Sequence, residues 1–217
     1  MSIVVRTLSD QVYGLVRERI LSGTIAPGGV IRQDALAAEL GVSKIPLREA
    51  MARLEQDGLL TSHANRGFFV APLSATEAEE VFALRLKIEP EAAALASRKA
   101  TDDDRVAARM ALVAMDSQID PRAPEAVDLN REFHISMVRP SGLMVTTQLI
   151  ERLHVLAERY VRIHLEPQER HGRAHDEHHA LLEAWLAADG ATVERLVHDH
   201  IAGAREDLRV QLARTAD

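Results

Sequence analysis

Apolar positions recur at helical spacing along most of the chain, with one break near residue 60. Leu8, Val12, Leu15, Val16 and Ile20 fall three and four apart, the stripe of a first helix that "SGTIAPGG" terminates. Leu36, Ala37 and Leu40 mark a short second helix ending at Gly41. A third, within "VSKIPLREAMARLEQDG", starts at Ser43 as its cap and turns Leu47, Ala50, Met51 and Leu54 inward. Then the period changes. In "GLLTSHANRGFFVAPL", Phe68, Phe69 and Val70 favour a strand and "HANRG" has the composition of a hairpin tip, which predicts two short strands around a turn.

Beyond "VAPLSATEAEE" the helical period returns and stays. Ser74 with Glu77 makes a capping box ahead of Val81, Leu84, Ile88 and Leu95. Thr101 with Asp104 caps the next helix, and "DPRAP" separates it from one carrying Asn130. "RPSG" precedes a helix running to about Leu165, "EPQERHGR" precedes another, and Asp189 with Gly190 opens the last. The expected fold is mainly α: a winged helix-turn-helix over residues 1–72, then an all-helical antiparallel bundle over residues 73–217.

Composition narrows the chemistry. A chain of 217 residues suits one small and one medium domain, large enough to bury a core without staples. It has no cysteine, which excludes disulfides, thiolate zinc sites and cysteine nucleophiles. "MSIVVRTLSD" lacks a signal peptide's apolar core, and no stretch approaches the roughly 18 uninterrupted apolar residues of a membrane span, so a soluble, cytoplasmic protein is expected. Residues 1–72 carry 8 Lys+Arg against 7 Asp+Glu, while the remainder carries 18 against 26, within a net charge of −7. The front segment lacks a general basic footprint, so any DNA contact must rest on where a few residues sit.

Their placement suits that task. In a winged helix-turn-helix the third helix enters the major groove, which puts Ser43, Lys44 and Arg48 at its amino end and outer face. A guanidinium there can grip guanine bidentately, while a hydroxyl, an ammonium and free helix N–H groups take phosphates. Arg66 and Gly67 at the wing tip reach the minor groove or backbone. The duller alternative is a protein-interaction module in which Arg48 and Arg53 are only solvated helix positions.

Here a resemblance becomes specific. "SGTIAPGGVIRQDALAAELGVSKIPLREAMARLEQDGLL", with the later "NRGFFV", resembles the DNA-binding domain of GntR-family bacterial transcriptional regulators. The shared features are a PG before the second helix, LA followed by a GVS turn, P-x-R-E-A, L-E-x-D-G-L and an N-R-G wing. The match covers roughly residues 8–71. Residues 76–210 are similar to the all-helical FCD domain of the FadR-type subgroup through "ALRLKIEPEAAALA", "NREFH", "DEHHALLEAWLAADG" and "HDHI".

The resemblance implies a metal held inside the bundle by Asn130, His134, His178 and His200, with Asn where the family often has Asp. Spacing agrees in part, because Asn130 and His134 lie one turn apart on one face, and imidazoles with an oxygen suit zinc, nickel or manganese. Each histidine also has a bland alternative. His134 on an apolar stripe could be a satisfied core residue, and "HGRAHDEHH", with His171, His175 and His179 at i, i+4 spacing, reads as a solvated helix entrance before it reads as a second site. Trp185 reads as packing. Arg85, inside an otherwise apolar stripe, needs an anionic partner, either a ligand carboxylate or Glu89 one turn on; Tyr160 is a candidate for the same wall.

The function expected from all this is a regulator and not an enzyme. It would be a homodimer, probing a palindromic operator in double-stranded DNA, acting as a repressor and controlled by a small carboxylate effector bound near the metal. The alternative is a metal-dependent hydrolase, since open histidine sites can activate water. It lacks an HExxH-type general base and leaves the winged helix unexplained.

Overall fold

The structure, a computed structural model, describes residues 7–64, 66–118, 124–164 and 168–215. The chain divides between Ser74 and Ala75 into two compact units.

In the first unit, α1 (Leu8–Leu21), α2 (Gln33–Leu40) and α3 (Lys44–Gln56) accompany a sheet of β1 (Val30–Ile31), β2 (Leu60–His63) and β3 (Gly67–Val70). Thr7 and Asp10 form a reciprocal capping box on α1. Val12, Val16, Ile20 and Leu21 are buried, but Leu8 and Leu15 are exposed, so the stripe is narrower than the apolar pattern suggested. Leu47, Ala50, Met51 and Leu54 of α3 are fully buried, as its spacing predicts, and α3 packs chiefly on α1. Gly41 closes α2 at φ +65°, a left-handed position that costs any residue with a Cβ. The hairpin register pairs Leu60 with Val70 and His63 with Gly67, and Gly67 stands at φ +83°. Apolar periodicity missed β1, whose two residues are too few to show a period; they pair antiparallel with Phe68 and Phe69.

The second unit contains α4 (Ala75–Lys99), α5 (Asp102–Asp116), α6 (Pro124–Val138), a 3-10 turn at Arg139–Ser141, α7 (Met144–His164), α8 (Gln168–Leu186) and α9 (Gly190–Thr215). No strand occurs here among the described residues. The Thr101–Asp104 capping box forms on α5 as expected, and Asp189 caps the start of α9 by accepting from Thr192 N–H at 3.1 Å. The loop expected at "EPQERHGR" is already helical from Gln168, because charged residues with good helix propensity extend α8 toward its amino end. "DPRAP" lies almost wholly outside the described residues.

Helix α4 is the bundle's centre, packing most extensively on α9 and next on α7. Its inward face is Ala78, Val81, Phe82, Arg85, Glu89, Ala92, Ala93 and Ala96, whereas Leu84 is exposed. The Arg85–Glu89 ion pair therefore lies inside an otherwise apolar face, the second of the two partners expected for Arg85. Trp185 is fully buried and donates to the carbonyl of Met137 at 2.9 Å, which confirms it as core.

Candidate nucleic-acid interface and metal centre

The buried face of α3 fixes what its other face offers. Leu47, Ala50, Met51 and Leu54 lock the helix against the unit's core, so Arg48 projects outward, exposed and without a partner among the described residues. Arg53 is engaged locally. It donates to Asp10 at 2.6 Å and its guanidinium lies 4.5 Å from the Tyr13 ring centroid, tying α3 to α1. The Thr7 hydroxyl first, and Arg53 second, lower the Asp10 pKa to about 2.

Ser43 occupies the N-cap position of α3, but its side chain makes no capping hydrogen bond. The expected cap role therefore fails. Its hydroxyl and the first N–H groups of α3 stay available to an outside acceptor. Lys44 is exposed and bridges to Asp34 at 2.7 Å. Arg66 lies against the Phe69 ring, 5.6 Å from its centroid, beside Gly67 at the start of β3. Asn65 lies outside the described residues.

Arg32 was missed by reading the sequence. It is exposed at the amino end of α2, caps nothing, and has no partner among the described residues. Its signal was an isolated arginine just before a helix start, where a cation is not needed for the macrodipole.

In the bundle the structure brings together three of the four residues expected to hold a metal. Ligand atoms of His134 (α6), His178 (α8) and His200 (α9) all lie within 4.8 Å of one another. Ring centroids are 5.2 Å apart for His134–His178, 5.1 Å for His134–His200 and 4.7 Å for His178–His200. Phe133 flanks the first two edge-on. Asn130 is half-buried one turn before His134 and makes no side-chain hydrogen bond among the described residues.

Two observations test whether an ion fits. The Nε2 atoms of His134 and His178 are buried without a hydrogen-bond partner, an arrangement that costs free energy unless something accepts their lone pairs. Burial first, and then the neighbouring histidines, hold both imidazoles well below the usual 6.5 and therefore neutral, the form that binds metal. His200 completes the pattern by turning Nδ1 to Glu177 Oε2 at 2.7 Å, a carboxylate behind an imidazole. The donor set fits a borderline divalent ion. His198, two residues from His200, is exposed beside Asp199 and takes no part.

His154 on α7 was missed. It is buried, its ring 5.2 Å from His134, with Nε2 2.9 Å from Glu89 Oε1 and 3.1 Å from Arg85 Nη2. It follows Leu153 in the buried stripe of Ile150, Leu153, Ala157 and Tyr160, a spacing that could have flagged it.

Arg85 is buried as expected, but its anion comes from the chain. It donates to Glu89 from Nε at 2.9 Å and from Nη2 at 3.3 Å. Burial alone would push the Glu89 pKa up; Arg85 and His154 outweigh it and hold the carboxyl well below 4.5. Glu89 Oε1 also lies 3.8 Å from His134 Nδ1, which joins this network to the histidine cluster. Tyr160 is fully buried, with the Arg159 guanidinium 6.0 Å from its ring centroid. Asp128, half a turn before Asn130, pairs with Arg131 at 2.8 Å.

Comparison with known proteins agrees with this layout. Residues 8–70 match the family described as bacterial regulatory proteins, gntR family, and residues 80–203 match the FCD domain. The Nta operon transcriptional regulator of Aminobacter aminovorans is 38% identical over 133 residues, 61% of this chain and 62% of its own length. The chain thus matches less than two thirds of that relative. The HTH-type transcriptional repressor GlaR of Escherichia coli (strain K12) is 28% identical over 198 residues, 87% of this chain and 90% of its own. The solved structure of E. coli McbR/YncC shares the fold, with a TM-score of 0.79 at 23% identity, over 96% of this chain and 100% of that one. On these matches, the chain belongs to the GntR family of bacterial regulatory proteins, with an FCD domain following its winged helix in sequence.

Proposed function

We propose that the protein is a DNA-binding transcriptional regulator that acts as a homodimer on a palindromic operator and represses until a small carboxylate binds its FCD domain. The observation that carries the DNA function is Arg48: exposed, unpaired among the described residues, on the outer face of a helix whose inner face is locked. Ser43, Lys44, Arg66 and Gly67 supply phosphate and wing contacts around it. One recognition helix per chain covers too few bases for useful specificity, which favours two-fold pairing. The name of GlaR, a repressor, supports the direction of control.

His134, His178 and His200 would hold one zinc, nickel or manganese ion, with Asn130 offering its side-chain oxygen. When bound, the ion offers a carboxylate oxygen an electrophilic contact. Around it, Glu89 orients His154 and engages Arg85, so Arg85 joins the effector site by anchoring that network or by exchanging Glu89 for the ligand. Tyr160 is its buried wall. No helix among the described residues is long and apolar enough to cross a membrane, which suits action in the cytoplasm.

The hydrolase alternative gains nothing from the geometry. Glu89 and Glu177, the carboxylates beside the histidines, are engaged with Arg85 and His200 and are not free bases. The relatives are transcriptional regulators.

The test is fluorescence anisotropy of the purified protein on DNA upstream of its own gene and its neighbours. Sequence-dependent, salt-sensitive binding of two chains per site is expected. Equal affinity for every fragment would overturn operator recognition.

A further inference from the structure

We propose a second divalent-metal site, on the bundle's surface, formed by Asp116, His175 and His179. His175 and His179 lie one turn apart on α8, their rings 4.4 Å apart and tilted by 34°. Asp116, on α5, brings one carboxylate to both: Oδ2 is 2.9 Å from His179 Nε2 and Oδ1 is 3.6 Å from His175 Nε2. One ligand atom from each residue lies within 4.8 Å of the other two. His171, the third histidine of the i, i+4 series, has a side chain outside the described residues and is not needed.

The position of Asp116 gives a separate reason for a cation here. It is the last residue of α5, where the helix macrodipole disfavours negative charge, and the last turn of α5 holds no basic residue. A divalent ion offsets both the carboxylate and the helix end. Two imidazoles and one carboxylate select zinc, nickel or copper over magnesium or calcium. All three groups are exposed, so water completes the shell and the ion exchanges freely, unlike one enclosed by His134, His178 and His200.

The site also has a consequence for the bundle. His178, which belongs to the inner cluster, lies between His175 and His179 on α8. An ion at the outer site clamps that stretch of α8 to α5, so surplus metal braces the helix that carries an inner ligand. The outer site would thus report metal in excess of what the inner one takes.

The experiment is equilibrium dialysis of the full-length protein against zinc, for the wild type, Asp116→Ala, the double variant His175→Ala/His179→Ala, and His134→Ala. The outer residues are exposed, so their variants should fold as the wild type does, and thermal melts without metal check this. Wild type should bind two equivalents with distinct affinities. The double variant should retain only the tighter one, and Asp116→Ala should weaken the looser one by at least about tenfold, as loss of a direct ligand implies. His134→Ala should keep the looser site. Two equivalents in the double variant, or a single equivalent in the wild type that survives it, would overturn the outer site. A single equivalent in the wild type that the double variant abolishes would instead support the outer site and overturn the inner one.

Discussion

The two units use their polar groups in opposite ways. In the winged unit the groups that bear on function are exposed and sit apart: Arg48 has no partner among the described residues, and Lys44 has only a surface one in Asp34. In the bundle, apart from the exposed Asp116, His175 and His179, they are enclosed and crowded, with buried Arg85, Glu89, His154 and His134 in one network and buried His178 and half-buried His200 beside it. The difference teaches where a substitution will register. Truncation at the surface of either unit should change binding and leave stability alone, whereas truncation inside the bundle should change stability first.

The sharpest way to break this contrast is Glu89→Ala. It leaves the Arg85 guanidinium buried without its anion and His154 without its acceptor. Removing one partner of a buried ion pair typically costs about 3–5 kcal/mol, so urea unfolding should show a loss of that order. A loss below about 1 kcal/mol would mean that water reaches the pair and that the bundle's interior resembles the winged unit's surface.

This contrast also explains what could be read from the sequence. The α3 stripe and the Thr101–Asp104 box were legible because each is a local pattern, a period or a spacing within one turn. Arg48 was legible as outward-facing because it follows from that period. The partners of Arg85 were only half legible: Glu89 is one turn away on the same helix, but His154 comes from α7, and no spacing rule links them. Asp116 meets His179 for the same reason, from another helix 63 positions away. The stripe of α4 was misassigned at Leu84 because an apolar residue was preferred to the buried ion pair that occupies the inner face. His134, His178 and His200 became a set through the family resemblance; spacing alone paired only Asn130 with His134.

Next in size is removal of metal from the inner cluster. An ion that binds only the folded state at about 100 times its Kd contributes about 2.7 kcal/mol, so melts before and after EDTA should differ and zinc or nickel should restore the difference. Identical curves would make His134, His178 and His200 plain core. Acid should act in the same direction on the metal-free protein. The unfolded histidines titrate near 6.5, while burial and neighbouring histidines hold folded His134 and His178 well below that. Between those values the unfolded chain binds more protons, so this stability is complete above about pH 6.5 and declines as pH falls toward the folded pKa values. A melting temperature that rose on acidification through this window would contradict their burial as neutral rings.

On the winged side, Arg48→Ala should weaken cognate operator binding by about 1–3 kcal/mol and relax base preference, with unfolding unchanged. Arg53→Ala sharpens the point, since that side chain is held by Asp10 and Tyr13. It should leave base preference intact. If the two arginines exchanged these phenotypes in a binding-site selection, the outer face of α3 would not be what reads the groove.

The smallest expected effect concerns Lys44, whose ammonium lies 2.7 Å from Asp34 with both side chains largely exposed. Such a pair contributes about 0–1 kcal/mol to stability, so neither Lys44→Ala nor Asp34→Asn should shift unfolding measurably beyond that. Their effects on DNA should be opposite in sign. If Lys44 takes a phosphate as proposed, Lys44→Ala should remove that contact, weaken binding evenly across sequences and lower the salt slope by about 1. Asp34→Asn releases Lys44 from a competing carboxylate and removes a negative charge near the phosphates, so affinity should rise slightly while sequence preference stays fixed. Anisotropy titrations at several salt concentrations separate these outcomes. Were Asp34→Asn to weaken binding, the bridge would be orienting Lys44 for the phosphate, and even an exposed pair in the winged unit would be acting as the buried ones do in the bundle.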